Sequence, residues 1–528
     1  MKSWCLFQRL GVLLFLGFLF PQAATAQDII PRWINQTGST VPVTVIQAGS
    51  DVNTNFDVLG WYYGATNKVG GTTLTNLLST SNLFICQFHA ITTNAPFWAK
   101  TVVTEYPVSN ARIINDFSGN IFVAGSYGGT NLSIPITVIT NFGGAGSHPE
   151  DVFLAKFSVN GNLSWLRHIG GTAGDSLGDL VMEPLQSPTG FYVTGTFQST
   201  NFMAGTSNLF RPDTNSADCF TAKFDLNGNV LWLSQGTYAT GDCLAVDTAK
   251  NCYVAGRVLG ASVFGNVSVA NQTTSSFVVK YDAAGAPVWA RGDLTIGSRI
   301  GVDKAQSLYT AGTFSNALTI AGKTLVSGAP STIFVAKYDS DGNPLWAQSL
   351  PGLGNDGFSS LMIDRYTNCW VTGYFAATNQ AGSPVNPTAV AACYDPAGQQ
   401  ILLYRSPMPS SVAGGVTSDI FNANLFLYGT YATNFSINAK YALTNAGSTD
   451  IFGSIVRLGP KVSLVATSTN IVLSWPALVE NTGFVLQSST NFGSTNWTTV
   501  GTGTTVGGQK VVTNTLSGPV QFYRLFHP

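Results

Sequence analysis

Four segments of this 528-residue chain can be laid over one another: VFLAKFSVNGNLSWLR (152–167), CFTAKFDLNGNVLWLS (219–234), SFVVKYDAAGAPVWAR (276–291) and IFVAKYDSDGNPLWAQ (333–348). Each reads as an alternating apolar strand, a Gly-containing turn and a second strand that reaches a tryptophan, namely Trp165, Trp232, Trp289 and Trp346. An upstream copy puts Trp98 in that slot, and a downstream copy puts Leu402 there. A second unit recurs between these hairpins, as in LAVDTAKNCYVAG (244–256), IGVDKAQSLYTAG (300–312) and LMIDRYTNCWVTG (361–373). Its closing glycine occurs seven times, at Gly60, Gly125, Gly195, Gly256, Gly312, Gly373 and Gly429. Repetition of this kind limits the fold severely. One copy is a small sheet that cannot bury both faces alone, and stacked copies bury them against each other.

The strand before each turn also occurs seven times, around Cys86, Lys156, Lys223, Lys280, Lys337, Cys393 and Ile455. The seventh tryptophan slot lies at the start of the chain, in IIPRWINQTG: Trp33 precedes Gly60 by 27 residues, as Trp98 precedes Gly125. The repeat region therefore opens on a fourth strand and ends on a third, IFGSIVRL (451–458). A ring accounts for this. The expected fold is all-β, a seven-bladed β-propeller over residues 27–459 in which the N-terminal strand completes a last blade formed by 413–458. Successive tryptophan slots lie 56 to 67 residues apart, which is long for four strands. The excess falls between the glycine strand and the next hairpin, as in Ser126 to Asp151, and loops there are the expected carriers of function. The repeated Trp is expected to pack blade against blade, and the repeated Gly to mark a bulge or a close backbone approach.

The AKF/AKYD, GN and W elements, with an apolar strand of the form D-x-x-G-N-x-Y-V-x-G, resemble the bacterial β-propeller repeats labelled SBBP. The matches are Ala155-Lys156-Phe157, Ala222-Lys223-Phe224-Asp225, Val279-Lys280-Tyr281-Asp282 and Ala336-Lys337-Tyr338-Asp339, and the resemblance spans roughly residues 30–459. It implies an exported propeller and no particular activity. Gln87, Cys393 and Ile455 replace the lysine in the first, sixth and seventh copies, which argues against a functional lysine ring.

After Gly459-Pro460 the pattern changes to short strands separated by Asn, Gly and Ser turns, the pattern of a small β-sandwich over 460–528. Leu473-Ser474-Trp475-Pro476, Leu486 to Asn491, Asn496-Trp497-Thr498 and Phe522-Tyr523-Arg524-Leu525 are similar to C-terminal modules of exported proteins from Verrucomicrobia-like bacteria. That resemblance implies a fibronectin-III-like fold and a role in surface display or adhesion.

Residues 1–26 read as a signal peptide: Lys2 and Arg9, the apolar run Gly11 to Phe20, then Ala24-Thr25-Ala26 before a mature start at Gln27. The mature chain shows no later apolar run long enough to span a membrane, so a secreted or cell-envelope location is expected. Charged residues make up 10% of the chain and the net charge is −1, which gives nucleic acid no electrostatic foothold. Six cysteines follow the leader, none in a C-x-x-C pair; Cys243 and Cys252 could face each other across a hairpin as a disulfide.

Catalytic motifs are lacking. There is no G-x-S-x-G elbow, and His89, His148, His168 and His527 have no ligand spacing. His148, near Glu150 and Asp151, is a conceivable site but reads better as a solvated loop. Asp225-x-Asn227-Gly228-Asn229 and Asp339-x-Asp341-Gly342-Asn343 resemble calcium loops faintly, but lack the late Glu and read as turns. Gly352-x-Gly354-x-x-Gly357 lacks the strand-to-helix context of a dinucleotide fingerprint. No catalytic, cofactor or metal residue is assigned. The expectation is a secreted or surface scaffold that binds a protein or glycan. The competing reading is an extracellular carbohydrate-active hydrolase or lyase, with acids from several blades gathered at a channel mouth.

Overall fold

The computed structural model describes residues 5–8, 29–36 and, with interruptions in the connections, 43–526. The leader segment 9–28, His89, His148, His527 and the Gly459-Pro460 junction lie outside the described residues. The chain is an all-β protein of the propeller class, built from antiparallel sheets whose strands follow the repeats. In the third repeat, for example, strands a to d are Asp175–Met182, Gly190–Phe197, Asp218–Asp225 and Val230–Gly236, paired in that order. The a strands of the successive repeats are Val43–Ser50, Ser109–Asn115, Asp175–Met182, Ala239–Val246, Arg299–Val302, Gly357–Ile363 and Ser411–Ser418. Each touches the next, and Ser411–Ser418 touches Val43–Ser50.

The d strand of the last sheet is Ile29–Gln36, which runs antiparallel to Asp450–Leu458. Trp33 pairs with Ile455 there, as Trp165 pairs with Lys156 and Trp232 with Lys223. The register inferred from the 27-residue offset is therefore the register of the fold.

The repeated glycine has a specific cause. Strand a carries a bulge in which one residue is unpaired, and the glycine of strand b sits opposite it: Val45↔Gly60, Leu177↔Gly195, Gly241↔Gly256, Phe358↔Gly373 and Ala413↔Gly429. A Cβ on Gly195, Gly256 or Gly373 would fall inside the van der Waals envelope of a carbonyl oxygen of strand a, that of Ser176, Thr240 or Gly357.

The tryptophans join neighbouring sheets, as expected. Trp98 Nε1 donates to Val159 O at 3.0 Å, Trp165 Nε1 to Leu226 O at 3.2 Å and Trp346 Nε1 to Pro396 O at 3.1 Å, each in the c–d turn of the next repeat. The rings lie on the turn glycines Gly161, Gly228 and Gly398, whose φ values of 75°, 78° and 83° leave their backbone flat against the indole. The lysines are structural too. Lys156, Lys223, Lys280 and Lys337 stand 4.7–5.1 Å over the rings of their cross-strand partners Phe122, Tyr192, Tyr253 and Tyr309. Where Cys393 replaces the lysine, its partner is Trp370, whose Nε1 turns to Asp364 Oδ2 at 3.0 Å.

The long b–c insertions differ from their expected loop form. They fold into short hairpins, such as Asn131–Ile134 with Thr137–Thr140 and Asn201–Ala204 with Ser207–Phe210. These hairpins extend the preceding sheet: Leu132 pairs with Thr104, and Ala204 with Ile169. They shield outer edges that would otherwise be open to strand addition.

The C-terminal residues form two antiparallel sheets, one containing Asn470–Pro476 and Gln509–Thr515, the other Val485–Ser489 and Val520–Phe526. They share a core of Ile471, Leu473, Trp475, Leu486 and Tyr523. Cys5–Gln8, inside the expected leader, pairs with Val520–Tyr523. Among the described residues, no helix is long and apolar enough to cross a membrane; this has no bearing on β-barrels.

The Cys243–Cys252 disulfide is not formed. The turn places Cys252 opposite Val246 and Cys243 opposite Ala255, so the two side chains lie three residues out of register, on opposite faces of the sheet. The six cysteines after the leader are free and buried, and burial pushes the Cys219 and Cys243 thiols up to about 12. Residues 27–528 treated with a thiol reagent in the native state are therefore expected to show almost no reaction, and all six thiols should react once denatured. A count of four after denaturation would restore a disulfide.

Candidate functional site

The seven a strands bring residues from distant repeats to one place, and the charged ones cluster on the second to fifth. Arg112 Nε bonds Asp179 Oδ1 at 3.0 Å, while its other nitrogens donate to Ala111 O and Gly178 O. Asp179 accepts further from Leu180 N at 3.0 Å and Leu244 N at 3.1 Å, so this ion pair ties three consecutive repeats together. Arg257 and Asp242 form an exposed pair at 3.3 Å. Arg299, half-buried at the start of the fifth a strand, donates to Ser298 O. The remaining a strands contribute Gln47, Ser360 and glycines. The arrangement matches neither a cluster of acids nor a wholly small-residue lining.

A second polar cluster lies where the second and third sheets meet. Asp151 Oδ2 accepts from Phe142 N at 2.9 Å and faces His168 Nε2 at 2.8 Å; its Oδ1 accepts from Gly171 N at 3.2 Å. The Phe142 ring stacks on His168 at 4.0 Å. Glu150 accepts from Ser109 Oγ at 3.0 Å. Asp175 accepts from Gln198 N, Ser199 N and Ser199 Oγ, and burial pushes its carboxyl up to about 6. Glu150 and Asp151, singled out from the sequence, thus do sit in a cluster, but with His168 as the described imidazole.

His168 escaped sequence reading because its slot carries different residues in other repeats. It lies three after Trp165, as Gln235 lies three after Trp232, and Gln235 Nε2 likewise bonds the equivalent Asp218 Oδ2 at 2.6 Å. A slot that takes Gln or His holds strand d to strand c and does not require proton transfer. The two calcium-like segments are turns. Asp225 accepts from Asn227 N, Asn229 N and Asn229 Nδ2 at 2.8–2.9 Å, and Asp339 repeats this with Asp341 and Asn343.

The third feature is on the rim. A cavity of about 520 Å³ opens between the end of the Ser207–Phe210 strand and the d strand of the third repeat, lined by Phe210, Pro212, Leu233, Gln235, Tyr238 and Val263. Phe210 is 62% exposed. The residue before the tryptophan is apolar and about half exposed in three repeats: Leu231, Val288 and Leu345, at 51–54%.

No family model matches the chain. Among curated proteins it is similar to the uncharacterized WD repeat-containing protein L264 of Acanthamoeba polyphaga mimivirus, at 23% identity over 355 residues, 55% of this chain. The chain spans about a quarter of that relative's length (25%). Among solved structures it is similar to the Dos1 propeller, with a TM-score of 0.41 and 10% identity over 82% of this chain and 96% of that one. A chain of the mitotic checkpoint complex gives a TM-score of 0.40 and 9% identity over 85% and 98%. A subtype N10 neuraminidase-like protein of A/little yellow-shouldered bat gives 0.33 and 10% over 81% and 99%.

Proposed function

We propose that this chain is an exported, non-catalytic scaffold: a closed seven-bladed propeller with a C-terminal β-sandwich module, which binds a protein partner on its outer rim. The a-strand contacts that return to the first repeat, and the N-terminal strand in the last sheet, support the closed ring. Signal-peptide cleavage after Ala26 would remove the Cys5–Gln8 strand and leave three strands in that sheet of the module.

The observation that carries the binding reading is the exposed apolar set of Phe210, at the mouth of the rim cavity, with Leu231, Val288 and Leu345 on the d strands. Large apolar side chains left exposed in this way suit a protein surface better than a sugar. A scaffold role also agrees with the WD-repeat description of the mimivirus relative. The non-catalytic reading rests on Asp151, Asp175, Asp179, Asp225 and Asp339, each already engaged by backbone or side-chain donors.

The test compares residues 27–528 with the triple variant Phe210→Ser, Leu231→Ser, Leu345→Ser. Both are presented to the producing cell's envelope proteins with quantitative mass spectrometry, and to a glycan array with product analysis. A protein retained by the native chain and lost from the variant supports the reading. Equal retention by both moves the site off the rim, and cleavage of any glycan overturns the non-catalytic assignment.

A further inference from the structure

The two C-terminal sheets end mostly on short strands. Ser463–Ala466 and Thr504–Val506 bound one sheet, and Thr498–Gly501 bounds one side of the other. At three or four residues each, these edges offer little backbone to an incoming strand. The remaining edge is closed by Cys5–Gln8. That segment pairs antiparallel with Val520–Phe526 in the register Cys5↔Tyr523, Leu6↔Phe522, Phe7↔Gln521 and Gln8↔Val520.

Val520–Phe526 is seven residues long, and it pairs with Val485–Ser489 on its other side without a bulge. It contains no Lys and no Pro, and Arg524 is its one charged residue. Lysines, prolines and bulges are the usual protection of an open edge, and this strand has none of them. Its outer backbone groups are therefore suited to being covered. The segment that covers them lies within the leader, and no other described strand pairs with that side.

A second copy of the chain fits the vacated place. Identical edges related by a two-fold axis pair antiparallel by necessity, the sense in which Cys5–Gln8 pairs. A register centred on Tyr523 uses all seven residues of both strands, against the four that Cys5–Gln8 covers. One contact then closes the open edge of each copy. Tyr523 is 1% exposed and its hydroxyl accepts from Asn514 Nδ2 at 2.7 Å, so the core holds the strand in its own sheet while its outer edge pairs.

We propose that the mature chain dimerises through this edge, with two Val520–Phe526 strands joining the C-terminal sheets of two copies into one continuous sheet. The proposal rests on the export reading above, because cleavage after Ala26 is what opens the edge.

The test uses residues 27–528 in solution, together with the chain recovered from the producing cell. Light scattering should give 27–528 twice the monomer mass. A peptide of residues 4–9 carrying Cys5→Ser should compete for the edge and return the protein to monomer, and a scrambled peptide should not. Alternate N–H groups of a strand point to opposite neighbours. Of Gln521→Pro and Phe522→Pro, one therefore removes a bond to Val485–Ser489, and the other removes a bond to the second copy. The latter should keep the native unfolding transition and be monomeric. A monomeric 27–528 overturns the proposal, even where it binds the peptide, since the edge then serves a different chain. A dimer that survives the peptide and both variants overturns it as well. Mass spectrometry of the natural chain's N-terminus tests the premise separately. A start at Gln27 supports it, and a retained Cys5–Gln8 overturns the export reading and leaves the edge closed.

Discussion

Gly256→Ala is expected to destabilise the protein by about 3 kcal/mol or more, although it adds a single methyl group to a strand. Alanine ordinarily fits a strand better than glycine does, so a survey of propensities gives the opposite sign. The local geometry decides. Gly256 faces Gly241 next to the bulge of strand a, and its added Cβ would occupy the Thr240 carbonyl oxygen. That atom is backbone, so a side-chain rotation cannot relieve the clash. Either the bulge is lost, which moves the residues after Gly241 to the opposite face, or the two strands separate. Chemical denaturation of purified variants measures this, with Gly322→Ala in an open rim turn as the comparison. Nothing lies near the Gly322 Cβ position, so strain from its φ of 70° is the sole cost there, about 1 kcal/mol. Similar losses in both variants would show that the bulge does not require glycine.

This glycine shows why so much of the fold was legible. Gly60, Gly195, Gly256 and Gly373 recur because one backbone clash recurs, and Trp98, Trp165 and Trp346 recur because each reaches the same turn of the next repeat. A constraint imposed once per repeat leaves a periodic mark, and even Trp33, far from its partner Ile455 in the chain, could be placed by it. Features specific to one repeat leave no such mark. The rim hairpins differ in length and sequence, so Ser126 to Asp151 read as a loop although it contains paired strands. Cys243 and Cys252 looked opposed because they flank one turn, but the turn's centre, and so the register, comes from Asp247 and Asn251. The meeting of Arg112 with Asp179 was beyond reach, since it depends on the packing of one repeat on the next across 67 residues of chain.

The second large effect should come from Lys223→Met, and it should depend on pH. Lys223 Nζ lies 2.8 Å from Glu183 Oε1, and both side chains are almost fully buried. Lys250, from the next repeat, approaches Glu183 Oε2 at 3.4 Å, and Thr189 donates to the same oxygen through N and Oγ1. Burial raises the Glu183 pKa, but the hydrogen bonds from Lys223 and Thr189 and the Lys223 charge outweigh it and hold the carboxyl below its ordinary value. A depressed carboxyl contributes stability that is present above its unfolded pKa and is lost as pH falls through the folded one. Removing Lys223 takes away its hydrogen bond and its charge, so burial weighs more heavily and the Glu183 pKa rises. At neutral pH the variant then holds a poorly compensated buried charge, at a cost of about 3–5 kcal/mol. Between neutral and acid pH, Glu183 becomes protonated in the variant before it does in the native protein, and the deficit shrinks. Lys280→Met is the matched control. Lys280 also stands over a tyrosine ring, but its ammonium bonds the neutral Gln306 Oε1 at 3.0 Å, so its deficit should be nearly flat with pH. Urea denaturation of the two variants across that range separates the contributions. A Lys223 deficit as flat as that of Lys280 would mean that packing of the lysine stem on Tyr192, and not the Glu183 carboxylate, explains why lysine occupies the slot.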